Sequence, residues 1–492
     1  MSQLVRSALV SAMVCLAGAA PPVVGADAPA GALAVVGSNS LGSRGMNAAL
    51  AIADHCAYVG SRNDAAPQVV DIGDPTSPRV VGALASHPGS TQRELRAVPS
   101  LKILGVLYYG LSGGSNGIDT YRWGSNCAAP EKVGHFDFGA AAPHEFYLWV
   151  DPSRPSRVLI FVTMFASPGE QLRVLDISDP ASPSRVGGWT VPPGYGHAPL
   201  HSIDLSADGR TAYVSLWTGG LIVADSSDFA TAKSGPALRP LTAPAAAFKT
   251  APGNVHSAVH LPGQARVLTT DERYPVPFGA GCPGGTAHIV DVADPAHPIP
   301  VATLAVPENQ ASGCAAAARD TWTSHNATMT AHLALVTWYS AGLQVFALDD
   351  PTRPVRLAEF RASGVSPRQR DLQLGTTDTL SWSYPVVARG LVFFVDINQG
   401  LLVMRYTGAH QEEVSALDFA EGNSNVSRST PTTAVATPAA PGPLTPLTSP
   451  SATSLPVPGP GNSQPALGLL GAAALALLGA AALVAVRARR RW

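Results

Sequence analysis

Four histidines recur at similar intervals in the middle of the chain. They stand in the segments PHEFYLWVD (His144), LHSIDLSADG (His201), VHSAVHLPG (His256) and SHNATMTAHL (His325), spaced 57, 55 and 69 residues apart. Imidazole nitrogens that converge on one point are natural ligands for copper, zinc or iron. The pattern therefore indicates a candidate metal site, if the fold brings the four positions together.

Further polar residues accompany the histidines. Other copies of the same segment carry Arg93 and Glu94, or Tyr384, and Asp271 and Glu272 follow His256 in its own copy. We treat these five as candidate ligand-binding residues, because a carboxylate can bind a metal or orient a histidine that does. A plainer alternative stays open, since a repeated histidine can simply cap a loop. The chain has no P-loop, G-x-S-x-G, H-E-x-x-H or C-x-x-C motif.

A repeated phrase indicates the elements that must position these residues. The copies are VVDIGDPTSPRVVGALA, RVLDISDPASPSRVGGWTV, HIVDVADPAHPIPVATLAV and LQVFALDDPTRPVRLAEF. Each reads as a strand, an Asp-Pro turn and a second strand. Weaker copies fill the gaps, which gives seven copies with a period of roughly 50–60 residues. A further strand pair, such as HSIDLSADGRTAYVSLW, precedes each copy. Four strands per repeat predict an all-β fold, a seven-bladed β-propeller over residues 32–408.

The first ordered strand is expected to complete the last blade. The last copy, GLLVMRYTG from Gly400, lacks its second strand, and the early segment GALAVVGSNSLG has the sequence of one. Pairing of the two would close the ring and remove exposed sheet edges. Two separate β-sandwich domains would explain neither the even spacing of the copies nor the missing second strand of the last copy. In the closed ring, the four histidines are predicted to lie at the top mouth of the central channel.

The Asp-Pro phrases resemble the LVIVD repeat of bacterial cell-surface proteins. The resemblance covers about Ala32 to Gly408, and the copy at Gln344 departs from it with Ala347 where other copies have aspartate. It implies a β-propeller fold and no agreed activity. Methanethiol oxidases of the selenium-binding type are similar in outline, as secreted propellers with histidine-bound copper, but no motif here equates the two.

Both ends of the chain suggest export and anchoring. Residues 1–26 read as a signal peptide, and residues 421–465 form a Ser/Thr/Pro-rich stretch expected to be a disordered stalk. Residues 466–486 are apolar and long enough to span a bilayer, and residues 487–492 are a basic tail. Arginines beside the span would hold the tail in the cytoplasm, which leaves the propeller outside the cytoplasmic membrane.

Four cysteines remain after removal of the signal peptide, and they permit three pairings. In the expected propeller, Cys56 and Cys127 lie in bottom loops, whereas Cys282 and Cys314 lie in top loops. Other pairings would join opposite faces, beyond the reach of a disulfide. We therefore predict the bonds Cys56–Cys127 and Cys282–Cys314.

The sequence leaves three hypotheses for function. The first is a membrane-anchored, monomeric binding module that takes a protein, glycan or small molecule on its top face. The second is a Cu-, Zn- or Fe-dependent enzyme, such as an oxidoreductase, that uses the four histidines. The third is an architectural envelope protein. A net charge of −2 and the lack of a basic stretch in the folded part argue against nucleic acid as a partner.

Overall fold

The computed structural model describes residues 23–24, 31–111, 113–165, 169–196, 198–250, 253–274, 283–309, 320–419 and 427–429. These residues form an all-β, propeller-like arrangement of antiparallel sheets. The described helices are short: α1 (Ser227–Ala230), α2 (Gln411–Ala416) and the 3-10 turns Leu41–Ser43, Pro99–Leu101, Pro307–Asn309 and Leu372–Leu374. The predicted all-β class is confirmed.

The strands follow one another in sets of four, each strand pairing with the next. The first two strands of the chain are β1 (Val23–Val24) and β2 (Ala32–Asn39). Sets 1 to 3 are β3 (Asn47–Ala53), β4 (Cys56–Ser61), β5 (Gln68–Asp71), β6 (Arg79–Ala83); β7 (Ser90–Val98), β8 (Ile103–Gly110), β9 (Gly117–Arg122), β10 (Glu131–Asp137); and β11 (Phe146–Val150), β12 (Val158–Thr163), β13 (Leu172–Asp176), β14 (Ser184–Trp189).

Sets 4 to 6 repeat this order. They are β15 (Ser202–Leu205), β16 (Thr211–Ser215), β17 (Leu221–Asp225), β18 (Arg239–Pro240); β19 (Val255–His260), β20 (Arg266–Asp271), β21 (Ala287–Asp291), β22 (Ile299–Leu304); and β23 (Ala327–Met329), β24 (Leu333–Trp338), β25 (Gly342–Ala347), β26 (Val355–Phe360). The short β1 runs parallel to β22. A single bridge between Ser61 and Gln92 joins sets 1 and 2 into one eight-stranded sheet.

Set 7 contains strands from both ends of the described chain. It consists of β27 (Val386–Ala388), β28 (Leu391–Asp396) and β29 (Gly400–Thr407), and the outer position beside β29 is taken by β2. The two strands pair antiparallel, with Ala32 opposite Thr407 and Asn39 opposite Leu401. The expected pairing of the early strand with the last repeat is confirmed. A small hairpin of β30 (Leu417–Phe419) and β31 (Ser427–Ser429) follows.

A shared bulge shows that β2 is equivalent to the outer strands of other sets. In β6, for example, Val81 is an extra residue between the paired Val80 and Gly82. In β2, Val36 is the extra residue, between Val35 and Gly37. The same shift recurs in β10, β14, β22 and β26. A β-bulge at one fixed place marks a repeated structural unit, and here it matches the sequence likeness of VVGS to VVGALA.

The Asp-Pro turns form by the mechanism that their sequence predicts. Each aspartate accepts a hydrogen bond on Oδ1 from the backbone N–H two residues later, at 3.0–3.1 Å; the four donors are Thr76, Ala181, Ala296 and Thr352. An aspartate that satisfies its own downstream backbone fixes the corner between two strands. The corner then sets the register of each outer strand.

Adjacent sets are joined by apolar packing and by buried polar contacts. Sets 1 and 7, for instance, share a core that contains Ile52, Val59, Phe393 and Val403. Comparable cores lie between the other neighbouring sets. Hydrogen bonds from a side chain to a neighbouring backbone carbonyl cross each junction: Thr91 to Ser61, Thr120 to Pro180, Thr163 to His201, Thr242 to Pro295, Thr270 to His325, Thr328 to Pro385 and Asn47 to Ile397.

Several sequence predictions fall outside the described residues. These are most of the signal peptide and stalk, the apolar segment 466–486, the tail 487–492, and the second pair of cysteines, Cys282 and Cys314. Within the part of the chain that the structure describes, no helix has the length and apolar character needed to cross a membrane.

Candidate functional site

The four histidines are held at the beginning of the first strand of sets 3 to 6. The backbone N–H groups of His144, His201 and His325 donate to carbonyls of the second strand of the same set, at 2.8–2.9 Å, whereas His256 lies within β19. The hydroxyls of Thr163 and Thr270 donate to the His201 and His325 carbonyls from the preceding sets. The sheet framework therefore fixes the backbone of each histidine.

The four imidazoles form a continuous row. The ring centres of His144 and His201 are 4.4 Å apart, and those of His201 and His256, and of His256 and His325, are each 4.1 Å apart. His201, His256 and His325 are at most 2 % exposed, and His144 is half-buried. The structure thus brings together all four histidines that the sequence singled out. We call them the histidine row.

The Glu272 carboxylate lies against three members of the row. The Nε2 atoms of His201 and His256 are 3.8 and 3.9 Å from Oε2, and the Nε2 of His325 is 3.4 Å from Oε1. Ligands bound tetrahedrally to one metal at about 2.0–2.2 Å lie roughly 3.3–3.6 Å from each other. The carboxylate therefore lies near one nitrogen of each of three imidazoles, and His201, His256 and Glu272 place one ligand atom each within 4.8 Å of one another.

His256 is the least satisfied polar group of the row. Its side chain is buried, and neither Nδ1 nor Nε2 forms a hydrogen bond of ordinary geometry with the described residues, although the His325 backbone is close enough to act on the pKa of the ring. The Nδ1 of His201 is likewise buried without a partner. A buried polar atom without a partner costs about 1–3 kcal/mol, and such atoms are rare in folded proteins. A cation bound to one nitrogen of His256 would remove part of this cost.

Hydrogen bonds at the two ends of the row fix which nitrogens carry lone pairs. The Trp382 carbonyl lies 2.7 Å from Nδ1 of His325, so Nδ1 is the protonated nitrogen and Nε2 carries the lone pair. The Arg93 guanidinium donates to Nδ1 of His144 at 2.8 Å. The protonated Nε2 of His144 then donates to Nε2 of His201 at 2.9 Å. This hydrogen bond uses the lone pair on Nε2 of His201, so a metal bound at that nitrogen would replace the bond. His144, whose own lone pair on Nδ1 faces Arg93, is not a ligand in this arrangement.

Burial keeps the row neutral. It lowers the pKa of His256 to about 4, with the nearby Glu272 acting in the opposite direction. Burial, reinforced by neighbouring positive groups, also holds the pKa of the other three histidines well below 6.5. A neutral imidazole is the form that binds a metal. Burial likewise raises the pKa of Glu145, whose Oε1 lies 3.8 Å from Nε2 of His256.

Aromatic residues surround the row. Trp217 stacks on His201 with ring centres 4.9 Å apart, and Trp382 lies 4.9 Å from His325. The hydroxyls of Tyr274 and Tyr339 both donate to Oε1 of Glu272. Trp217 and Tyr339 have positive φ angles of 39° and 23°. Bulky residues rarely adopt this backbone conformation, and strained residues concentrate at functional sites.

Sequence reasoning missed several of these neighbours. No local motif marks Trp217, Trp382, Glu145 or Tyr339 as part of the site. One signal was present: Trp217 and Tyr339 each stand three residues before a glycine that opens a third strand. The bonds Gly220 N–H to Trp217 and Gly342 N–H to Tyr339 show that the two positions are equivalent.

The other sequence candidates have different surroundings. Arg93 and Glu272 lie beside the row. Glu94 is buried and bonds Arg96 at 3.0 Å, and burial raises its pKa. The Asp271 carboxylate instead contacts His288 and Thr250, and Tyr384 lies under the Arg96 guanidinium, 5.3 Å from the ring centre.

A small cavity with an empty volume of about 210 Å³ adjoins the row. Water molecules can be centred within about 30 Å³ of this space. It is lined by Arg62, Arg93, Glu145, Glu272, Tyr274, Trp382 and the four histidines. One water needs roughly 10–15 Å³ of such space. The cavity can therefore hold an ion with one or two small ligands, but no large organic molecule as it stands.

A disulfide closes a loop in the first two sets. Cys56 and Cys127 are bonded, with their Cα atoms 5.9 Å apart and a sequence separation of 71. The first predicted disulfide is confirmed. Since both sulfurs are used in the bond, neither is available as a metal ligand beside His55.

A second group of histidines lies at the C-terminal helix. The Nδ1 of His332 contacts the Glu413 carboxylate, and the Nε2 of His410 lies 2.8 Å from Asp349. The two rings stack with centres 4.8 Å apart. We call His332, His410 and Glu413 the C-terminal clasp, because it attaches α2 to the loop before β24.

Comparison with known proteins identifies the repeats. The LVIVD repeat family model matches residues 45–85 and 166–190, as the Asp-Pro phrases predicted. The search of curated proteins gave no match.

Solved structures share the general architecture at low identity. The Sqt1 structure from Chaetomium thermophilum has a TM-score of 0.49 and 13 % identity, over 77 % of this chain and 99 % of that one. The Cps50 (Swd1) β-propeller domain of Myceliophteria thermophila has a TM-score of 0.47 and 11 % identity, over 74 % and 97 %. The C-terminal WD40 domain of Sif2 has 0.43 and 10 %, over 73 % and 81 %. Such values carry no information on function.

Proposed function

We propose that this LVIVD-repeat β-propeller protein is a metal-dependent oxidoreductase with one transition-metal ion bound by His201, His256, His325 and Glu272. The observation that carries the proposal is the buried His256 side chain, whose two ring nitrogens form no hydrogen bond of ordinary geometry with the described residues. A β-propeller fold is also compatible with a protein-interaction module, but the buried histidines of the row favour a metal-dependent reaction.

The proposal includes closure of the seven sets into a ring. Support comes from the β2–β29 pairing, from the apolar core shared by sets 7 and 1, and from the bond between Asn47 and the Ile397 carbonyl. In a closed ring the first strands of all sets surround one axis. The row would then lie along the central channel, where imidazoles from four successive blades can meet.

The ligand set restricts the metal. Three neutral imidazoles with one carboxylate suit copper, iron or zinc, and fit magnesium or calcium poorly, because those ions prefer oxygen ligands. The metal would supply Lewis acidity or electron transfer. Tyr274 and Tyr339 would hold the Glu272 carboxylate in place, and the Trp382 carbonyl would fix the tautomer of His325.

The surroundings of the ligands favour redox chemistry. Two phenols donate to the carboxylate ligand, the Trp217 indole stacks on His201, and the Trp382 indole lies tilted beside His325. Tyrosine and tryptophan are the side chains that can carry an electron to or from a metal. We therefore propose copper or iron, in preference to zinc, as the bound metal.

Elemental analysis of the purified full-length protein tests the proposal. Cells grown with added copper, iron and zinc should yield about one redox-active metal per chain, and His256→Ala should yield a protein without it. The matched control is His297→Ala, at a side chain that is 71 % exposed and contacts Asp294, which should keep the metal. Metal-free wild type, or metal retained in His256→Ala, would overturn the assignment; zinc alone would exclude the oxidoreductase.

We further propose that the propeller lies outside the cytoplasmic membrane, tethered by the stalk and by a helix over residues 466–486. The Cys56–Cys127 bond supports this location, because structural disulfides persist in oxidising compartments. Protease added to intact cells should then degrade the propeller; protection until the cells are lysed would contradict the proposed topology.

A further inference from the structure

Arg93 is a cation without a carboxylate partner at the edge of the proposed metal site. Its guanidinium donates to His144 and lies 4.9 Å from the Tyr109 ring centre, but forms no ion pair with any described carboxylate. Its Nε atom is buried and has no hydrogen-bond partner among the described residues. Other arginines near the row do have acidic partners: Arg62 bonds Asp371, and Arg96 bonds Glu94.

The charge balance of the cavity calls for an anion. The pair Arg62–Asp371 is neutral overall, and Glu272 offsets only one charge of a divalent metal. Of the three positive charges of the metal and Arg93, Glu272 and the other carboxylate that lines the cavity, Glu145, can offset two, so one remains without a counter-charge in a buried site. An uncompensated charge in such surroundings is costly, and a negatively charged ligand in contact with both groups would remove the cost.

From this geometry we infer that the substrate or co-substrate of the site is a small oxyanion, held between the Arg93 guanidinium and the metal. The inference rests on the proposed metal centre. The space in which a water molecule can be centred, about 30 Å³, limits the anion to roughly two or three heavy atoms, since one water takes about 10–15 Å³. The planar guanidinium suits carboxylates and similar oxyanions, which it can contact through two N–H groups.

Arg93 also links the anion to the histidine row. Since it donates to Nδ1 of His144, whose ring centre lies 4.4 Å from that of His201, an anion that draws Arg93 toward itself would alter the surroundings of a metal ligand. Anion binding should therefore change the spectrum of the metal even where the anion is not itself a ligand. This gives a readout that does not depend on knowing the reaction.

Formate and nitrite are suitable probes, with formamide as the neutral match for formate. Full-length, metal-loaded protein is titrated with each, and the absorption or EPR spectrum of the metal is followed. We expect formate or nitrite to bind saturably and formamide not to bind. Arg93→Gln should weaken anion binding by about 10- to 100-fold, the usual effect of losing a charge-assisted hydrogen bond, while the metal content stays at one per chain. Arg79→Gln, at a side chain that is 72 % exposed, is the matched control.

The outcomes separate this inference from the metal centre itself. Equal affinity of Arg93→Gln and wild type for the anion, or equal binding of formamide and formate, would overturn the inference and leave the metal assignment standing. Binding of nitrite alone would indicate an inorganic oxyanion, and binding of formate alone an organic carboxylate. Absence of metal from the wild type would instead reject the proposed function.

Discussion

The histidine row and the C-terminal clasp consist of the same residue types in opposite surroundings. In both, two histidines and a glutamate place their polar atoms within 4.8 Å of one another. His256 in the row is buried and forms no hydrogen bond of ordinary geometry with the described residues, whereas His332 in the clasp is 49 % exposed in its side chain and bonded to Glu413. Composition alone therefore does not identify a metal site.

The protonation states of the two groups differ accordingly. Burial lowers the pKa of the histidines in the row. In the clasp, the bond to Glu413 raises the pKa of His332, and the bonds that Glu413 accepts lower its own pKa against the effect of burial. A proton occupies the lone pair that a metal would need. The clasp therefore favours protonated histidines, and the row favours the neutral imidazoles that a metal could bind.

Metal removal should give the largest difference between the two groups. Dialysis of the wild type against a chelator should lower its free energy of unfolding by about 4 kcal/mol or more, the stabilisation from a ligand present at a thousand times its Kd. His256→Leu should be insensitive to the chelator, because the ligand set is broken, and His332→Leu should respond like the wild type. Thermal melts with and without chelator measure this. Equal sensitivity of His256→Leu and wild type would place the metal elsewhere.

Removal of one phenol should give a smaller effect, confined to the row. Tyr339→Phe deletes a donor to Glu272 and should weaken metal affinity about 10- to 100-fold, as expected for a group that orients a ligand. Tyr406→Phe removes a buried phenol that bonds Ala409 near the clasp and should leave the affinity unchanged. Competition with a chromophoric chelator measures both. Unchanged affinity in Tyr339→Phe would remove Tyr339 from the site.

The clasp should give the smallest effect, and it should depend on pH. A raised pKa in His332 contributes stability that is complete below about 6.5 and is lost as the pH rises through its folded pKa; the lowered pKa of Glu413 contributes stability above about 4.5. Asp349, Glu412 and His410 also face this pair.

Glu413→Gln should therefore lower stability by less than about 1 kcal/mol near pH 5.5, as is usual for an exposed ion pair, and by still less near pH 8.5. Chemical denaturation at the two values measures the difference. His297→Gln serves as the reference, because it removes the pair with Asp294, which is more exposed than the clasp. A larger loss at pH 8.5 than at pH 5.5 would contradict the charged pairing of the clasp.

Much of the fold followed from local sequence, because its determinants are local. The Asp-Pro corners, the alternating strands and the likeness of Val35–Gly37 to Val80–Gly82 require only neighbouring residues. Even the Cys56–Cys127 bond followed from counting strands. The convergence of four histidines was also foreseeable, since equivalent positions of a repeat lie side by side in space.

The composition of the site depended on contacts that the sequence does not show. Asp271 and Glu272 are adjacent in the chain, but consecutive residues of an extended segment point to opposite sides. Glu272 therefore meets the histidine row, and Asp271 meets His288. Tyr339 and Trp217 depend on a strained turn that packs them against another set, which local pattern does not predict. The pair Cys282 and Cys314 stays a prediction.

The pairing of β2 with β29 imposes a delay on biogenesis. Asn39 cannot pair until Leu401 has been synthesised. At about 5–20 residues per second, synthesis of the intervening chain takes roughly 20 to 70 seconds. Throughout that interval an apolar strand has no partner, and a second nascent chain nearby offers the same docking edge. A chain released from a ribosome that stalled before Gly400 would lack β29. Its β2 strand could then pair with another molecule.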